Sequence, residues 1–168
     1  MFDRNSDTTI LAPHGGKIES GTSEISRAIA GREFNLYCFE GIKQRRNYRL
    51  LHIASNYFDE PRCIRLLSRS RNVIAIHGCR GFRKAIFVGG RNRILRSALA
   101  LKLQEAGMSA RADDHPFLGE GEENVCNRGI DGEGVQFELT SGLRRSSDIT
   151  RFIETVRGTL MLRNAILS

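Results

Sequence analysis

Short β-branched or aromatic runs alternate along this chain with segments of helical periodicity, and that alternation narrows the fold more than any other feature. TTILA (8–12), FNLYCF (34–39), RLLHIA (49–54), NVIAIHG (72–78), AIFVGG (85–90) and GVQFELT (134–140) read as strands, several of them bounded by glycine. Between them, SEISRAIA (23–30) sets Ile25, Ala28 and Ile29 on one face and stops at Gly31. Thr22 is its expected N-cap, with Glu24 in the first turn. Residues 60–70 carry Pro61 in a first helical turn, where a missing N–H costs nothing. RILRSALALKLQEAG (93–107) repeats Leu95, Leu99 and Leu103, and a last helix follows Ser147 and Asp148 with Phe152, Val156 and Leu160 inward. Strands alternating with helices predict an α/β fold: a mixed, mostly parallel sheet with helices on both faces. At 168 residues, with no internal repeat or linker, the chain reads as one domain over 1–168. In such sheets ligands gather beyond the carboxyl ends of the strands.

Charge adds a constraint on partners. Lys and Arg number 26 against 19 acids, and 22 of the 26 are arginines. Residues 43–102 carry fifteen basic side chains and two acidic ones, whereas residues 105–138 carry two basic and nine acidic. A molecule so polarised attracts polyanions to one face, and Arg suits forked contacts to carboxylate or phosphate. Nucleic acid is a poor fit, because Trp is absent, aromatics are only 7% and no stacking array or recognition motif appears. No window holds the roughly 18 uncharged apolar residues of a membrane span, and MFDRNSDTT lacks a signal core. The cysteines Cys38, Cys63, Cys79 and Cys126 show no C-x-x-C spacing, and spacing alone leaves a Cys79–Cys126 bridge open. The expected location is the cytoplasm as synthesised. The acidic stretch 113–124 reads as a solvated loop.

Three segments hold side chains that could carry chemistry. In LAPHGGKIESGTSEI (11–25) a strand runs into Pro13-His14, two glycines allow a tight turn, and Glu19 follows five residues after His14. That spacing is wrong for two ligands on one helical face and suits a loop-borne pair, although a purely structural turn would look the same. NVIAIHGC places His77 at the carboxyl edge of a buried strand, where it is either a packed core histidine or part of a site. In GVQFELT, Glu138 lies inside a strand beside Phe137 and Leu139, a costly place for a carboxylate unless it meets a cation, a hydrogen bond or a proton. An arginine partner would answer equally well. Taken together, His14, Glu19 and His77 with a separate Glu138 are the inventory of a catalytic zinc site: three ligands, an open position and one base. His52 reads as a strand residue near the rim and His115 as a loop residue.

The blocks APHGGKIESGTSEI, YCFEGIK, LHIASNYFDEP, VIAIHGC, VGG, NVCNRG and GVQFELTSGLR, in that order over roughly 10–144, resemble the phage-type poly-γ-glutamate hydrolases. The resemblance implies a zinc-dependent, carboxypeptidase-like α/β domain that cleaves the γ-amide bonds of poly-γ-glutamate, a polyanionic capsule polymer. By block, it implies His14, Glu19 and His77 as metal ligands and Glu138 as general base. Arg80, Asn127, Arg128 and Arg144 are its candidates for holding substrate carboxylates; Asn127-Arg128 resembles a carboxypeptidase pair but follows His77 instead of preceding it. A phage-encoded copy would meet its polymer after cell lysis. The alternatives are a zinc amidase acting on peptidoglycan peptides and a basic nucleic-acid-binding module without catalysis.

Overall fold

The computed structural model describes residues 1–167, with side chains through 163. Six strands form one sheet: β1 (Thr8–Gly16), β2 (Asn35–Gly41), β3 (Asn72–Cys79), β4 (Ala85–Gly89), β5 (Ser109–Arg111) and β6 (Val135–Thr140). Their order is β2-β1-β3-β6-β4-β5. All neighbours are parallel except β4, which runs antiparallel to β6. The expected mixed, mostly parallel α/β sheet is therefore present. Its central strands are nearly continuous apolar runs because both faces are covered.

One face is covered by α1 (Thr22–Ala30), α4 (Arg93–Glu105) and α6 (Asp148–Leu167), the last preceded by the single-turn α5 (Ser141–Arg144). Ile25 and Ile29, then Leu95, Leu99 and Leu103, then Phe152, Val156 and Leu160 supply their buried stripes against Ile74, Ile76 and Phe137 of the sheet. The other face is covered by α3 (Pro61–Leu67) and a short 3-10 turn at Val125–Asn127, which pack Cys63, Leu66, Leu67, Val125 and Cys126 over Leu11, Val73 and Ala75. Glu60 caps α3 by accepting from the Cys63 N–H at 2.9 Å, and Pro61 occupies the first turn. All four cysteines are free. No described helix is long and apolar enough to cross a membrane.

Four expectations need correction. RLLHIA is not a strand: α2 (Asn47–Leu51) occupies its first half, and His52 is the extended residue that closes that helix. A short apolar run carries too little periodicity to separate the two states. Thr22 does not cap α1; Gly21 does, at φ 96°, while the Thr22 hydroxyl turns back to donate to the carbonyls of His14 and Glu19. The three-residue β5 is too short to leave a pattern. Finally, the acidic loop is only partly a solvated one, since Asp113 and Glu120 both bind the buried Arg96 guanidinium.

Candidate metal centre and catalytic cleft

β1 delivers His14 at its carboxyl end. The β1–β2 ladder slips between Ala12 and Gly15, so Pro13, which lacks an N–H, falls where the ladder is already broken. Beyond it the chain folds back on itself: the Glu19 N–H donates to the His14 carbonyl at 2.9 Å. Gly16 takes φ 62°, and a Cβ on Gly15 would stand 2.2 Å from the Ser23 hydroxyl. The five-residue loop thus places the Glu19 carboxylate beside the His14 ring, with Glu19 Oε1 3.1 Å from His14 Nδ1.

β3 lies next to β1 and ends at the same edge, which brings in His77. Its Nδ1 is 3.1 Å from His14 Nδ1 and 3.9 Å from Glu19 Oε2. The next residue, Gly78, donates its N–H to Glu19 Oε2 at 2.7 Å and fixes the carboxylate from the far side. His52, set aside as a rim residue by sequence reasoning, closes the group. Its ring stacks on His14 with centroids 4.0 Å apart, and its Nε2 is 3.4 Å from Glu19 Oε1. The donor atoms of His14, Glu19 and His52 all lie within 4.8 Å of one another, close enough to hold one metal ion. The only local signal for His52 was its place in the LHIASNYFDEP block.

The donor chemistry fits a cation. His14 Nε2 is 2.6 Å from the Ile53 carbonyl, which can only accept, so Nε2 is a protonated nitrogen and Nδ1 is the one turned toward Glu19 and His77. Burial, outweighing the attraction of Glu19, holds His77 down at about 4, in its neutral form. Burial alone would raise Glu19, but hydrogen bonding with the His14 and His52 rings outweighs it and holds the carboxyl well below the usual carboxylate range. Two ring nitrogens and a carboxylate thus face one point, an arrangement that a cation between them would stabilise. Donors about 2.0–2.1 Å from one tetrahedral ion stand about 3.3 Å apart; His14 Nδ1 lies 3.1 Å from both His77 Nδ1 and Glu19 Oε1, while 3.9 Å separates His77 Nδ1 from the other carboxylate oxygen, Oε2.

Glu138 pairs with His77 across β3 and β6 and lines the same cleft as Glu19 and His52, a space of about 960 Å³. Burial first, and then the charge of Glu19, push its carboxyl up to about 8, with Arg144 pulling the other way. Arg144 also lines the cleft, donating to the carbonyls of Leu139 at 2.7 Å and Ser20 at 3.1 Å. Arg80 and Arg145 are exposed along the same wall.

Asn127 and Arg128, by contrast, do not line the cleft. Asn127 is buried, donates to the carbonyls of Gly119 and Gly121, and accepts from the N–H groups of Arg91 and Gly134. The Arg128 guanidinium donates to the carbonyls of Phe58, Asn56 and Glu123. Both tie loops together, and their pairing in sequence carried no information about where they point. His115 is a buried loop residue whose Nε2 donates to the Val88 carbonyl.

Comparison with known proteins agrees with this architecture. Residues 1–152 match the model of a family described as poly-gamma-glutamate hydrolase. The UPF0714 protein YndL of Bacillus subtilis (strain 168) is 39% identical over 146 residues, covering 86% of this chain and 57% of YndL. The chain therefore spans little more than half the length of that curated relative. A solved bacteriophage poly-gamma-glutamate hydrolase superimposes with TM-score 0.89 at 28% identity, over 95% of this chain and 85% of that one. A zinc-free structure of YndL superimposes with TM-score 0.86 at 34% identity, over 96% and 86%.

Proposed function

The chain belongs to the poly-gamma-glutamate hydrolase family, and from that premise we propose that it is a zinc-dependent hydrolase of the γ-glutamyl amide bonds of poly-γ-glutamate. One observation carries the reading. Two imidazole nitrogens and a carboxylate from β1, its turn and β3 converge to within 3.1–3.9 Å at the carboxyl edge of the sheet, with a second carboxylate, Glu138, on the same cleft. His14, Glu19 and His77 are the proposed ligands, and His52 stands beside them as a further donor. The zinc-free form in which YndL was solved supports zinc over other divalent ions.

Zinc held there supplies Lewis acidity to the scissile carbonyl and to the attacking water. The chain's own groups do the rest. The Ile53 carbonyl selects the His14 tautomer that leaves Nδ1 as the donor atom, and the Gly78 N–H orients Glu19. Burial keeps His77 neutral, the form that binds metal. Glu138 takes the proton from water as the oxygen adds to the carbonyl carbon, and returns it to the nitrogen as the C–N bond breaks. Burial and the charge of Glu19 raise this carboxyl well above the ordinary carboxylate range, and a cation held beside Glu19 would draw it back toward the ionised form that accepts the proton. Arg144, Arg80 and Arg145 offer cations to polymer carboxylates along the cleft wall.

The test joins metal content, by mass spectrometry, with product sizes from poly-γ-glutamate, poly-α-glutamate and cell-wall peptides. Stoichiometric zinc and shortening of the γ-polymer are expected. His14→Ala should lose the metal, whereas Glu138→Gln should keep it and lose about 10²–10⁴-fold in turnover. A Glu138→Gln protein that cleaves at the normal rate refutes the base assignment. Cleavage of cell-wall peptides alone would move the reading to a peptidoglycan amidase.

A further inference from the structure

A second groove, of about 720 Å³, lies beside the catalytic cleft and shares Ser20 and Arg144 with it. We propose that this groove is an adjacent subsite that takes neighbouring γ-glutamyl units of the polymer whose bond lies in the cleft, an inference that rests on the hydrolase reading above. Its lining differs in kind from that of the cleft. Ile149 and Ile153, one turn apart on α6, line it together with Ile25 of α1 and Ile42 just beyond β2, and Lys17 and Arg144 add two cations to the same lining. Ile42 is 84% exposed, so its burial on folding explains nothing about its presence. One acid, Glu24, also lines the groove.

The chemistry of a γ-linked chain matches this pattern. Each repeat sets a carboxylate directly on the main chain and follows it with two methylenes before the next amide carbonyl. Such a chain alternates a fixed negative charge with an apolar segment. An α-linked polymer of the same composition instead puts the methylenes and the carboxylate on a mobile side chain and packs amides along its backbone. A channel that combines isoleucines with two cations suits the first: methylenes on Ile42, Ile149 and Ile153, carboxylates toward Lys17 and Arg144. Because Arg144 is the common wall, its guanidinium stands at the junction between the unit being cut and its neighbour. The groove therefore favours γ-linkage and chains long enough to occupy both spaces.

Labelled poly-γ-glutamate titrated by fluorescence anisotropy into the zinc-loaded Glu138→Gln protein reads binding apart from cleavage. Lys17→Glu and Ile42→Ser, both at exposed positions, are expected to weaken binding about fivefold each. Glu24→Gln should tighten it about twofold, and the equal charge change Lys102→Glu, on the surface of α4, should leave it as it was. In the otherwise wild-type protein, Lys17→Glu should raise KM more for long polymer than for a γ-glutamyl dipeptide, which cannot span both spaces. Wild-type-like binding by Lys17→Glu and Ile42→Ser overturns the proposal, as does an equal loss for poly-α-glutamate. A wild-type protein that leaves the γ-polymer uncut refutes the hydrolase reading instead, and the titration still decides the groove.

Discussion

Gly78 and Arg144 make a coupled pair whose separation can be measured. A Cβ built on Gly78 lies 2.0 Å from Arg144 Nη1 and 2.5 Å from its Cζ, so Gly78→Ala and the present arginine rotamer exclude each other. The backbone at Gly78 is not in the left-handed region and its N–H, which holds Glu19, survives the change. The arginine is long and swings away, so the cost is the hydrogen bonds it leaves behind, chiefly those to the Leu139 carbonyl at 2.7 Å and the Ser20 carbonyl at 3.1 Å, with a third to the Cys79 carbonyl that is long at 3.4 Å. At about 1 kcal/mol each for a half-buried charged donor, Gly78→Ala should cost about 2 kcal/mol. In a chain of this length that is a fall of about 4–8 °C in Tm. Arg144→Ala should cost a similar amount, and the double variant little more than either single one, giving a coupling of about 1.5–2 kcal/mol in urea unfolding. Zinc content should survive Gly78→Ala while polymer turnover falls with the displaced guanidinium. If Gly78→Ala costs as much in the Arg144→Ala background as in the wild type, the clash is not with Arg144 and the reasoning fails.

Three further outcomes follow from the structure. Burial would raise Glu60, but the Tyr37 hydroxyl at 2.7 Å, Arg62 and the Cys63 N–H outweigh it and hold the carboxyl at about 2. Its folded pKa is depressed, so its contribution is complete above pH 4.5 and is lost as pH falls from there toward 2. Glu60→Gln should therefore cost about 1 kcal/mol at pH 7 and progressively less below pH 4.5 in denaturant melts; a pH-independent difference would contradict this. Adding zinc to chelator-treated protein should raise Tm by about 10 °C at a thousandfold excess over Kd, and His14→Ala should abolish the rise, as differential scanning calorimetry would show. Polymer cleavage should slow as salt shortens the Debye length below about 10 Å, since the arginine-lined wall attracts a polyanion; a flat salt profile would count against that attraction.

Local pattern carried most of the architecture. The leucine stripe of α4 and the apolar runs of β1, β3 and β6 announce themselves because each must bury one face or both. RLLHIA failed for the opposite reason: its exposed Leu50 and Ile53 belong to a short helix and its exit, and nothing nearby forces a period. The same misreading hid His52, because a histidine assigned to a strand has no reason to lean over the β1 turn. Asn127 and Arg128 show the converse case. Adjacent in sequence and matched to a familiar pair, they sit in and at the end of a 3-10 turn, and their side chains are taken up by loop carbonyls instead of lining the cleft.

What the amino-acid order determines alone is therefore the set of elements, the glycine- and proline-shaped turn that folds Glu19 back onto His14, and the polarised charge. Each arises from contacts within a few residues or from bulk composition. The meeting of His14 with His77, 63 residues apart, depends on β1 and β3 being parallel neighbours in the sheet. Glu138 reaches the same edge only because β6 pairs with β3 in the register that sets it opposite His77. Register is chosen by burying the whole sheet at once, since a slip of one residue would turn every inward side chain outward. No single segment contains that information, and so the gathering of His14, Glu19, His77, Glu138 and Arg144 at one edge belongs to the tertiary structure.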